Sequence, residues 1–146
     1  MNKRELITST SAVIVAALAG NASAQEDTHA HHHDTSVPNA ALISATSNCV
    51  VKGQICVVHC LELLANGDKE MASCAKSASQ MLTLCGALQS LAAQQSSYLP
   101  ALAKTVMEAC LACENECRKH DKKHSQCKDC GDACAACAKQ CNALAA

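Results

Sequence analysis

CKDCGDACAACAKQCNALAA, residues 127–146, sets cysteines at 127, 130, 134, 137 and 141, and Leu144 extends the same alternation of three- and four-residue steps. On an α-helix that rhythm gathers all of these side chains on one stripe, the inward seam of a bundle. Such a seam ordinarily carries Leu and Ile; here it carries thiols. The rhythm returns upstream at Cys110, Cys113 and Cys117, and more loosely at Cys49, Cys56 and Cys60. The chain therefore reads as an all-α protein whose core is lined by sulfur.

Composition points the same way. With 146 residues the chain is long enough for one modest domain behind a leader segment. Thirteen cysteines describe its class by themselves, and Tyr98 is the only aromatic residue. A core without aromatic bulk has to be filled by Leu, Val, Met, Ala and Cys, which suits closely packed helices better than a twisted sheet. Beyond residue 24 the chain carries 10 basic and 12 acidic side chains, a balance that offers nothing for nucleic acid to bind. The charged run Arg118–His124 reads as a solvated turn.

Residues 1–24 have the layout of an export signal: Lys3 and Arg4, an apolar run from Ala12 to Ala19 too short to span a bilayer, then Ala22-Ser23-Ala24 as the cleavage pattern. Lys3-Arg4 leaves a twin-arginine-like route and a Sec route both open. Either route takes the protein out of the cytoplasm. Residues 25–43 hold His29, His31, His32 and His33 among polar residues, a flexible segment or a loose metal-collecting arm. Residues 44–146 form the bundle. Its first helix starts near Ala40 or Ser44 and stops at the capping signal Asn66-Gly67. Helix two opens at Asp68, with Met71, Cys74, Ala78, Met81, Cys85 and Leu88 on its seam. Helix three is capped by Ser96 or Ser97 and tolerates Pro100 in its first turn; helix four begins between Lys122 and Ser125.

Short connections between helices of similar length impose an antiparallel up-down-up-down four-helix bundle. One end then collects Leu42, Ile43, Leu88, Leu91, Leu99, Leu102 and Leu144 as an apolar plug. The other collects Cys60, Met71, Cys74, Cys117, His120, His124 and Cys127. Met71, His120 and His124 are candidate ligands for metal arriving at that end, with His59 beside Cys60 but off the strict seam. Met81 and Met107 read as packing.

Several chemistries use many cysteines. A disulfide-stapled structural or interaction module meets two objections: thiols three or four residues apart on a helix have Cβ atoms about 5–6 Å apart against the roughly 3.8 Å of a disulfide, and 13 is odd. Thioredoxin-type catalysis uses one exposed C-x-x-C at a helix start, whereas these pairs repeat mid-helix, so no enzyme is indicated. Ferredoxin-type clusters sit in loops. Zinc needs four converging ligands at each site. Monovalent copper prefers thiolate and accepts two ligands, and bridging sulfurs let the ion count approach the cysteine count. A single-site copper chaperone is the narrower rival.

On these spacings, at 110, 113 and 117, at 127, 130, 134, 137 and 141, and on Cys49, Cys56, Cys60, Cys74 and Cys85, the chain from about Ser44 to Ala146 resembles the four-helix-bundle copper storage proteins. The resemblance implies many Cu(I) ions held by all 13 cysteines inside the bundle. It also implies a homotetramer and export by a twin-arginine signal. Its purpose would be copper homeostasis or supply to copper enzymes such as methane monooxygenase.

Overall fold

In the computed structural model of the chain, residues 37–145 are described. The export signal and the His29–His33 run expected from the sequence lie outside them. Four helices follow in order: α1 Ala40–Ala65, α2 Ala72–Ala93, α3 Leu99–Arg118 and α4 Ser125–Ala145, with a 3-10 turn at Lys69–Met71 leading into α2. Among the described residues there is no strand.

The ends of these helices are written in local chemistry. Asn39 precedes α1 in the left-handed region, and its side-chain amide donates to Ala92 O at 3.2 Å, pinning the start of α1 to the end of α2. At the other end Gly67 takes φ 90, where a Cβ would be strained; its N–H reaches Leu64 O and that of Asp68 reaches Leu63 O, both at 3.0 Å. This is the paired closure of a Schellman motif, and only glycine adopts it freely. Asp68, expected to cap α2 directly, instead accepts from Glu70 N at 3.2 Å and caps the 3-10 turn. The offset is physical: one tight turn swings Met71 into the core before α2 begins. Ser96 Oγ accepts from Tyr98 N at 3.3 Å just ahead of α3.

Each helix packs on its two chain-adjacent or ring-adjacent neighbours: α1 on α2 and α4, α3 on α2 and α4, with no close backbone approach across the diagonals. Side-chain pairs fix the directions. Cys56 meets Cys74 and Lys52 meets Asp129, so α1 runs against both α2 and α4. The result is the expected bundle, with a plug of Leu42, Leu88, Ala92, Leu99, Ala103 and Val106 buried at one end. Val106, rather than Met107, takes the fully buried place on α3. Leu63 and Leu64 close α1 only half-buried. Thr46 is buried inside the plug; its hydroxyl donates to Leu42 O and Ile43 O at 2.9 and 3.0 Å, so the polar atom is satisfied within its own helix.

The end of α2 repeats the Schellman closure with Gln95 in the left-handed place, φ 52. A side chain there costs about 1–2 kcal/mol. Gln95→Gly should therefore stabilise the bundle by about 0.5–1 kcal/mol once glycine's extra unfolded-state freedom is subtracted. Thermal unfolding of the reduced protein checks this, and an unchanged or lower midpoint would contradict it.

Candidate metal centre

All 13 cysteines are free thiols, and all are fully buried. The helices bring their sulfurs together mainly across the bundle. Cys85 lies 3.6 Å from Cys110 and 3.9 Å from Cys137; Cys49 lies 3.7 Å from Cys134. Nearer the open end, Cys74 is 3.7 Å from Cys117, Cys56 is 3.9 Å from Cys74 and 4.0 Å from Cys127, and Cys113 is 3.9 Å from Cys130. Cys56 and Cys60, 3.9 Å apart, make a contact along one helix. The spacing within each helix thus sets the stripe, while the ligand groups form between stripes.

Four groups of sulfurs have all members within 4.8 Å of one another. Cys49, Cys85, Cys110 and Cys137 form a tetrad with one thiol from each helix. Cys56, Cys60, Cys74 and Cys127 form another; Cys56, Cys117 and Cys130 form a third group, and Cys113, Cys130 and Cys134 a fourth. Cys56 belongs to two groups, as does Cys130. The closest sulfur pairs, 3.6 to 4.0 Å apart, suit the roughly 4.0 Å expected for three-coordinate metal, and separations of up to 4.8 Å within the groups take in the roughly 4.6 Å of a linear unit. Small side-chain rotations cover the difference.

Each group mixes thiols of opposite tendency. Cys49 is pulled down to about 5, first by the S–H of Cys110, with Cys134 and Cys85 adding and Cys137 opposing. Cys74 is lowered by Cys117 and then Cys127, Cys130 by Cys113 and then Cys117, and Cys137 by Cys110 and then Cys141. Against them Cys85 is pushed up chiefly by its bond with Cys110, Cys56 by that with Cys117, and Cys134 by that with Cys110, each reinforced by burial. Neighbouring S–H donors cradle a thiolate, and the donors keep their protons.

Charge decides which metal fits. Thr46 is the one polar side chain in the described core, and no cation is buried with the sulfurs. A divalent ion in a four-thiolate site leaves two negative charges in apolar surroundings, which costs several kcal/mol per ion. A monovalent soft ion replaces one proton on one sulfur and leaves the core neutral. Shared thiols such as Cys56 and Cys130 suit low coordination numbers for the same reason.

At the open end Met71 is fully buried, while His59, His120 and His124 are half-buried. His59, which its place off the seam made the weakest of these candidates, has Nε2 3.0 Å from His124 Nδ1. The two rings join α1 to the start of α4 directly above Cys60 and Cys127 in sequence. Met81, read as packing, is fully buried, and its Sδ lies 3.3 Å from Cys49 Sγ. Nothing in the periodicity of α2 signals that contact.

A helical bundle with a neutral, shared-thiol interior defines a class of protein that carries soft monovalent metal in quantity. A family model described as copper storage protein matches residues 35–146. The chain belongs to the copper storage protein family, and its four groups of buried thiols offer places for several ions in one bundle. Among solved structures it is similar to Cu(I)-bound copper storage protein BsCsp3, at 27% identity and a TM-score of 0.68 over 74% of this chain and 98% of that one. Apo-Csp3 from Bacillus subtilis is similar at 28% identity and a TM-score of 0.65, covering 74% and 99%. The uncharacterized cysteine-rich protein YhjQ of Bacillus subtilis (strain 168) is 28% identical over 106 residues, 73% of this chain and 94% of YhjQ.

Loading exchanges Cu(I) for protons on thiols such as Cys56, Cys85 and Cys134, which titrate above the ordinary thiol range. Those thiols are protonated at neutral pH, so apparent affinity must rise with pH, by about tenfold per pH step for each proton displaced. Chelator competition between about pH 6 and about pH 8 measures it. A pH-independent affinity would contradict proton exchange at these thiols.

Proposed function

We propose that all 13 cysteines are Cu(I) ligands and that the chain stores copper as a chain of linked sites along the bundle axis. The observation that carries the reading is the unbroken run of buried free thiols with no buried charge to balance a divalent metal. Copper enters at the end where His59, His120, His124 and Met71 lie; a half-exposed imidazole passes a soft ion to a buried thioether and thiolates without crossing the apolar plug. The leader at 1–24 supports export, by a twin-arginine-like or Sec route, and so storage outside the cytoplasm for copper homeostasis or for supply to copper enzymes. No step here calls for catalysis.

A homo-oligomer, a tetramer by family resemblance, is supported by α1. It is the one described helix long and apolar enough to cross a bilayer, yet its inner stripe carries thiols of the core. Its outer stripe leaves Val51, Ile55, Val58 and Leu61 exposed at 53, 48, 57 and 55%. Four large aliphatic side chains on one helix face are more than a monomer ordinarily leaves in water. Ile55→Lys should shift the protein toward monomer in sedimentation or light scattering while copper capacity is kept; an unchanged mass would exclude this face.

Anaerobic Cu(I) titration of the reduced protein against a chromophoric chelator tests storage itself. A break near one copper per cysteine is expected. A break at one or two ions would indicate a chaperone, and absence of titratable thiols a disulfide module.

A further inference from the structure

We propose that Met81 is a Cu(I) ligand in the middle of the bundle, completing a thioether–thiolate site with Cys49. The inference rests on the storage reading and goes beyond it, because it adds a non-cysteine ligand to the interior. Along α1 no thiol lies between Cys49 and Cys56, seven residues and about 10 Å of rise. Along α2 none lies between Cys74 and Cys85, 11 residues and about 16 Å. In that middle layer α3 and α4 still supply Cys113, Cys130 and Cys134, which form a group of their own. The facing half of the layer would hold no sulfur at all but for Met81.

Three features show that this sulfur is placed. Met81 is fully buried. Its Sδ lies 3.3 Å from Cys49 Sγ, so the two atoms that a metal would join are already in contact. Gly53, on the inward stripe of α1, makes the room: a Cβ there would lie 2.6 Å from Met81 Cε and 2.9 Å from Leu82 Cδ2. Glycine inside a helix is unfavourable by roughly 0.5–1 kcal/mol against alanine, and Met81 is what occupies the space so kept.

The chemistry balances simply. Cu(I) enters, the Cys49 thiolate and the Met81 thioether bind it through their sulfurs, any proton on Cys49 leaves to solvent, and no oxidation state changes. A thioether is soft and carries no charge, so this site binds copper without a second thiolate. Cys49 also reaches Cys134 at 3.7 Å, so the site links the tetrad of Cys49, Cys85, Cys110 and Cys137 to the Cys113–Cys130–Cys134 group.

The test is carbon NMR of the full chain labelled at its methionine methyl groups, titrated anaerobically with Cu(I). Met71→Leu, Met81→Leu and Met107→Leu variants assign the signals. The Met81 methyl resonance should shift as copper fills the bundle while that of Met107 stays in place, and Met81→Leu, a volume-conserving change, should hold about one copper fewer per chain. A Met81 signal unmoved at saturation, in a wild-type chain that binds many ions, would overturn this inference and leave storage standing. Wild-type protein that takes up no copper would overturn both.

Discussion

A protonated thiol packs like a small hydrophobe, and everything else in this molecule depends on that property. A buried thiolate without a counter-charge costs several kcal/mol, against a total stability of about 5–15 kcal/mol for a typical domain. Three or four bare thiolates would therefore unfold the bundle. Thiols that keep their protons do not, because each fills the place of a small aliphatic side chain on a helical seam, and a lowered one such as Cys49 is held by neighbouring S–H donors rather than left bare. Copper then takes the place of protons on the raised thiols, such as Cys56 and Cys85, and supplies the counter-charge to the lowered ones, such as Cys49.

The same constraint explains the plug and the open end. Leu42, Leu88, Leu99 and Val106 supply the aliphatic bulk that cysteine lacks, and they are concentrated where no ion has to pass. Exposed ion pairs such as Arg118 with Asp132 at 2.7 Å and Lys52 with Asp129 at 2.9 Å join α4 to α3 and α1 from outside, each worth about 1 kcal/mol or less. They set register without bringing charge near the sulfurs. Buried alanines, among them Ala75, Ala78, Ala133 and Ala138, let the helices approach closely enough for thiols on different helices to touch.

Much of this was legible in the sequence, because helical periodicity reports directly which residues share a stripe. The cysteines at 127, 130, 134, 137 and 141 had to face one way, and Asn66-Gly67 had to end α1. What periodicity does not report is how stripes on neighbouring helices are offset in height. The tetrad drawing one thiol from each helix, the His59–His124 pair and the Cys49–Met81 contact all depend on that offset. His59 lies beside the seam rather than on it, yet its side of α1 faces the start of α4, and only the packed bundle brings His124 there. Gly53 was readable as an inward position, but its reason for being glycine lies on another helix.

The sulfur core folds before it holds metal. Far-ultraviolet circular dichroism of the reduced, copper-free protein, recorded anaerobically at neutral pH and again after Cu(I) loading, addresses it directly. Full helix content is expected in the empty protein, with a nearly superimposable spectrum once it is filled. An apo spectrum of disordered chain that becomes helical only as copper is added would contradict it, and would mean that metal, not packing, builds the bundle.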